Sequence, residues 1–269
     1  MSSFQLVHLE DEVMTLPTNT RIEVQGDFRA YLRVENRLDL LVKAVGSIPE
    51  FWRVLTIVDN SPERITEKLS SPQTAKILEP SFRLAGDDPP FTTVFYPPVP
   101  LTFTQSHNWW FANAKKKGAQ FVIWIHNDAA SVDGGHLRLL DFVRRITAAG
   151  RKWGTVFTSY DALAAVNLAA IEDVGGYDTA FPKYGCDCDL YHRFTLAGWE
   201  CIDTGIVTNH VGSQTILSDT KLRFVNGIIH PHSMDYYRNK WGGNPGEEKF
   251  AAPFNRPDLF PNLKPVGVW

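Results

Sequence analysis

Residues 121–128 read FVIWIHND. Phe121 to Ile125 are apolar without a break, which suits a strand buried on both faces. The run ends abruptly in His126, Asn127 and Asp128, three side chains able to bind a ligand. Just upstream, SHNWWFANAKKKG (106–118) reads as a helix. Lys115, Lys116 and Lys117 fill its last turn and Gly118 ends it, as the helix dipole and C-cap geometry favour. The lysine run is therefore read as a solvated helix end. A helix leading into a fully apolar strand is the repeating unit of a largely parallel sheet.

The same alternation extends both ways. FRAYLRV (28–34), VLTIV (54–58) and FTTVFY (91–96) read as strands before it. GTVFT (154–158), ALAAVNL (162–168) and ECIDTGIVT (200–208) read as strands after it. Leu38, Leu41, Val42 and Val45 mark a helix after the first strand. In DNSPERITEKL (59–69), Ser61 is placed to cap a helix with Pro62 at its first position. Further helices are expected from about Leu137 to Ala149 and from about Cys188 to Ala197. The fold expected is α/β: a mixed, mostly parallel, Rossmann-like sheet flanked by helices. The chain is read as one domain over 1–269, with a core at about 28–215. A helical or irregular extension from about 216 to 269 is expected to pack over the acceptor side.

The 269 residues are 43% apolar and 21% charged, with a formal net charge of -3. No general nucleic-acid-binding face is implied. No apolar run approaches the ~20 residues of a membrane span, and the first residues lack the pattern of a signal peptide. A cytoplasmic protein is expected. Its three cysteines, Cys186, Cys188 and Cys201, have neither the number nor the spacing of a zinc site, so they read as packing residues.

In such sheets ligands bind beyond the carboxyl ends of the strands. Four clusters stand there: Glu35-Asn36-Arg37, Asp59-Asn60-Ser61, His126-Asn127-Asp128 and Asn209-His210. Neither glycine-rich phosphate loop occurs, so a divalent metal is the alternative phosphate anchor. Asp128 and His210 suit Mn²⁺ or Mg²⁺.

YGCDCDLYHRFTLAGWE (184–200) holds two acids, Asp187 and Asp189. Two residues apart on a helix, they turn by roughly 200° and cannot share a face. Asp189 precedes Arg193 by four, the spacing of an intrahelical ion pair. Asp187 stands at the helix start, where it can cap the helix or accept a proton from a hydroxyl; the residues alone leave both open.

The ordered set of segments resembles nucleotide-sugar-dependent glycosyltransferases of family 2, which have the GT-A fold. The segments are RVENR (33–37), IVDNSP (57–62), HNWWFANAKKKGAQFVIWIHND (107–128), VGGYDTAFPKYGCDCDLYHRFTLAGWE (174–200) and TNHVGSQT (208–215). The resemblance implies that Asp128 and His210 hold the metal and that Asp187 is the base of an inverting transfer. It implies a nucleotide site from Arg33, Glu35, Asp59, Asn108, His126 and Asn127, with Asp59 on the base. The chain departs from the family pattern at His126 and Glu35, where an acid and a tyrosine are usual, and at Trp110 and Cys186. In the tail, Tyr236, Tyr237 and Trp241 offer flat faces for a sugar, with Lys240 beside them. Expected partners are a nucleotide-sugar donor, UDP-linked in the first reading, and a glycan or other hydroxyl acceptor, with no nucleic acid and an unspecified oligomeric state. A sugar-phosphate nucleotidyltransferase and a non-catalytic nucleotide- or glycan-binding protein are the rival readings.

Overall fold

A computed structural model describes residues 6–8, 24, 26–70, 92–158, 161–210, 212 and 219–259. Among the described residues ten strands are formed: β1 Leu6–His8, β2 Phe28–Val34, β3 Leu55–Asp59, β4 Thr93–Phe95, β5 Phe121–Ile125, β6 Ala129–Ser131, β7 Trp153–Phe157, β8 Leu163–Asn167, β9 Glu200–Asp203 and β10 Thr208–His210. Six α-helices accompany them: α1 Leu38–Gly46, α2 Phe103–Lys116, α3 Gly135–Ala148, α4 Leu168–Val174, α5 Cys186–Leu196 and α6 Thr220–Trp241.

Eight strands make one sheet in the order β1-β9-β7-β8-β5-β2-β3-β4. All pairings in it are parallel except the two that β8 makes with β5 and β7. This is the mixed, mostly parallel sheet expected. Because β8 runs backwards, its first residue lies at the carboxyl edge of its neighbours. β6 and β10 leave the main sheet and pair antiparallel, setting His210 opposite Ala129.

The central strands β2, β3, β5, β7 and β8 are buried on both faces, and their alternating side chains feed two cores. Phe28, Ala30, Leu32, Phe121, Ile123 and Ile125 pack with α1 and α3. Tyr31, Val122 and Trp124 pack with α2, α4, α5 and the end of α6. Close approach is needed where α5 crosses β7: a Cβ on Gly154 would lie 2.8 Å from the Phe194 ring.

Three local expectations are corrected. The helix expected after Ser61 does not form; Asp59 accepts hydrogen bonds from the Ser61 N–H, at 3.0 Å, and from the Thr66 N–H and hydroxyl, at 2.9 and 2.7 Å. That carboxylate bends the loop into a turn, and only a 3-10 helix follows at Ile65–Ser70. The stretch 200–208 is two elements, because Gly205 adopts a positive φ of 66° while Asp203 accepts its N–H, turning the chain out of the sheet. α2 begins earlier than its apolar pattern suggests, at a capping box of Thr102 and Gln105.

The extension contains the longest helix, α6. Residues 211, 213–218 and 260–269 lie outside the described residues, so part of TNHVGSQT and both ends of the extension are not covered here.

Candidate functional site

The carboxyl edge of β5 ends in a turn in which the Ala129 N–H donates to the His126 carbonyl. This turn brings His126 and Asp128 to one side. β10, held against β6, delivers His210 to the same place. His210 Nε2 lies 3.4 Å from Asp128 Oδ1, and the His126 and His210 ring centroids are 5.7 Å apart. One donor atom from each of His126, Asp128 and His210 lies within 4.8 Å of the others.

The electrostatics favour deprotonated donors at two of the three. Burial pushes the His126 ring down to about 4, so it is neutral with a free lone pair. Burial raises the Asp128 carboxyl, but its hydrogen bond to His210 and the two imidazoles outweigh this and hold it below the usual value. His210 is raised by that same bond. Facial donors around an ion at ~2.1 Å lie roughly 3 Å apart, so small side-chain rotations would close this set on a cation. Two imidazoles and one carboxylate suit Mn²⁺ better than Mg²⁺, which prefers oxygen donors. His126, expected only near the nucleotide, is thus a candidate third metal ligand.

Two cations lie near this edge, Lys183 within reach of the Asp128 charge and Arg33 near Lys183. Arg33, at the end of β2, donates to Glu35 at 2.9 Å and to the Leu101 carbonyl at 3.2 Å. Its Nε is buried without a partner. Lys183 is pushed down to about 8, first by burial and then by the charge of Arg33; Glu35 and Asp128 act the other way. Lys183 is near enough to Arg33, Glu35 and Asp128 to feel all three. A cationic flank next to a metal trio matches the charge of a diphosphate.

Asp187 occupies the second position of α5, after Gly185 at a positive φ of 74°. Burial, and then the neighbouring Asp161, push its carboxyl up to about 6. The backbone N–H groups of the helix end favour its ionised form but are outweighed. Asp161 lies two residues before β8, receives the Tyr191 hydroxyl at 3.3 Å and is itself raised by burial. The edge therefore carries two half-buried acids close enough to repel. Asp161 and Lys183 are not among the residues that the sequence singles out. Asp161 precedes an antiparallel strand, and Lys183 lies in the loop before α5.

Other expected site residues have different work. Asp189 is fully buried; it pairs with Arg193 at 2.9 Å and Lys240 at 2.6 Å, and accepts from Trp241 Nε1 at 2.9 Å. The structural role expected for it is what the structure gives it. The same network removes Tyr237, Lys240 and Trp241 as acceptor contacts. Both rings are fully buried and Lys240 is divided between Asp178 and Asp189, so none presents a face to a sugar. Tyr236 is half-buried, with its hydroxyl on Asp178 at 2.9 Å. The Asn108 amide donates to the Tyr177 carbonyl and accepts the Tyr177 N–H, tying α2 to the 175–185 loop. Asp59 is buried, and both of its oxygens accept hydrogen bonds from its own loop. Asn127 lies in the turn between His126 and Asp128. The cysteines are free thiols raised by burial, and none belongs to the metal-capable group.

No family model and no curated protein matches the sequence. Solved structures match it in shape. GalNAc-T7, crystallised with UDP, GalNAc and Mn²⁺, aligns with a TM-score of 0.50 at 13% identity, over 79% of this chain and 50% of that one. The chain thus spans about half the length of that protein. The mannosyltransferase PcManGT from Pyrobaculum calidifontis, in complex with GDP-Man and Mn²⁺, aligns at 0.49 and 14% identity over 80% and 71% of the two chains. A cytidylyltransferase from Leptospira borgpetersenii serovar Hardjo-bovis aligns at 0.44 and 11% identity over 77% and 96%. With the sheet order and the metal-capable edge already described, the likeness is one of architecture: this chain has the GT-A fold of the nucleotide-sugar-dependent glycosyltransferases.

Proposed function

We propose that the protein is a Mn²⁺-dependent glycosyltransferase that moves a sugar from a nucleotide-diphosphate sugar to a hydroxyl acceptor with inversion. The observation that carries this reading is the convergence of His126, Asp128 and His210 at the sheet edge where Asp187 and Asp161 also lie. His126, Asp128 and His210 would hold the cation, which when bound neutralises charge on the departing diphosphate. Arg33 and Lys183 supply further positive charge to the same oxygens. Asp187 accepts the proton of the acceptor hydroxyl as that oxygen attacks the anomeric carbon. The bond from that carbon to the donor's phosphate oxygen breaks on the opposite face, and the nucleoside diphosphate leaves. Glycans are the first acceptors to test, and UDP-linked sugars the first donors.

The deciding measurement is release of nucleoside diphosphate from a panel of UDP- and GDP-sugars with Mn²⁺. Release is expected for at least one donor, and pyrophosphate release from a nucleoside triphosphate is not. A nucleotidyltransferase gives the reverse pattern, and a binding protein gives neither. Asp128→Ala should abolish Mn²⁺-dependent stabilisation by nucleoside diphosphate in a melting assay, and His126→Ala and His210→Ala should weaken it. A saturating ligand, at about 100 times its dissociation constant, contributes about 2.7 kcal/mol, so the loss is readable as a melting shift. Wild-type shifts in all three variants would place the metal elsewhere.

A further inference from the structure

The two halves of α6 have different surroundings. Its carboxyl half is built into the protein, with Ser233, Tyr237, Lys240 and Trp241 buried. At about 100° per residue these four lie on one side of the helix. The amino half meets the body along the same side. His230 stands edge-on to the Tyr184 ring at 4.9 Å, and the Asn226 side chain bonds the Tyr184 hydroxyl. Phe224, Val225 and Ile228 turn away from it and are 72%, 46% and 49% exposed. Leu222 and Ile229 flank them, partly covered. Large apolar side chains grouped on one outward face mark a contact surface.

The charge on this half identifies what it contacts. From residue 220 to 234 there is no carboxylate, while Lys221, Arg223, His230 and His232 are present. Asp219, just before, is engaged in capping, accepting the N–H groups of Lys221 and Leu222. Asp235, just after, is paired with Arg238. Lys221 stands three and seven residues before Phe224 and Ile228, on the same face. Its long stem can lie along apolar groups while its ammonium reaches a phosphate.

We propose that the amino half of α6 lies in the surface of a membrane containing anionic lipid. Phe224, Val225 and Ile228 enter the boundary between headgroups and acyl chains, and Lys221 pairs with lipid phosphate. A second copy on the same face would bring the basic groups of both copies together in an apolar contact, which their repulsion opposes. Among the described residues no helix, α6 included, is long and apolar enough to cross a membrane. The inference does not depend on the transfer chemistry.

The test is co-sedimentation of the full chain with phosphatidylcholine vesicles, with and without phosphatidylglycerol, at low and high salt. Binding is expected to the mixed vesicles, with release by salt. The double variant Phe224→Ser, Ile228→Ser should bind about tenfold or more weakly, and Lys221→Glu should lose the preference for anionic vesicles. These side chains are exposed, so melting temperature should stay near wild type. Wild-type protein remaining in the supernatant with mixed vesicles at low salt overturns the proposal, as does salt-insensitive binding to phosphatidylcholine alone. Self-association without vesicles, abolished by the double variant, would assign the face to a second copy and also overturn it.

Discussion

Asp187→Asn is expected to lower turnover by about 10²–10⁴ while leaving the affinity for nucleoside diphosphate and Mn²⁺ nearly unchanged. The amide keeps the shape of the carboxylate and cannot accept the proton. Burial and Asp161 raise the Asp187 carboxyl to about 6, and a base works only when deprotonated, so wild-type activity should fall as pH drops through that region. A bound divalent cation adds positive charge nearby and brings the limb lower. Asp161→Asn removes a neighbouring negative charge and should move it lower again, which separates a tuning role from a structural one. Stability gives an independent signature. A carboxyl raised on folding disfavours the folded state once it ionises, so Asp187→Asn should melt no lower than wild type at pH 7. Normal turnover in a well-folded Asp187→Asn protein would end its assignment as the base.

Asp189→Asn should do the opposite. Asp189 is fully buried and Arg193 and Lys240 are nearly so, and removal of one partner leaves cations without their anion. Breaking a buried pair costs about 3–5 kcal/mol, which for a chain of this size lowers the melting temperature by roughly 6–15 °C. Arg193 keeps the carbonyls of Val174, Gly175 and Gly176, and Lys240 keeps Asp178, which favours the lower end of that range. Burial raises the Asp189 carboxyl, but the charges of Arg193 and Lys240 outweigh it and hold the group below the usual range. Its stabilisation is therefore complete above about pH 4 and is lost as pH falls through the depressed folded value. Thermal melts of both variants from pH 7 downward check this. The gap between wild type and Asp189→Asn should narrow in acid, and a constant gap would mean the pairing is not its cause.

The sheet was legible because its central strands are buried on both faces. FRAYLRV and FVIWI match β2 and β5 residue for residue, since continuous apolar runs have few alternatives. The direction of β8 was not legible, because an apolar run carries no sign of which way it points. Asp161 went unnoticed for that reason: it is an edge residue only if β8 is reversed. Asp128 and His210 were found from their positions after strands, and the opposite faces of Asp187 and Asp189 followed from helical geometry. The tail residues misled because Tyr, Lys and Trp suit both a sugar site and a packed network. Only the placement of Asp178 and Asp189 beneath them decides between the two, and those acids are 52 to 62 residues away.

That separation bears on the order in which the protein becomes competent during synthesis. α5 leaves the ribosome about fifty residues before Lys240 and Trp241, which complete the partners of its buried acid. Until they arrive, Asp189 has Arg193 alone, and the face that Trp241 will cover stays wet. The end of α5 that carries Asp187 should therefore be among the last parts of the nascent chain to become rigid. A chain cut before residue 240 would contain every residue assigned to the chemistry and still lack the clamp that holds them in place. Truncated or tagged forms should keep the sequence intact through at least Trp241.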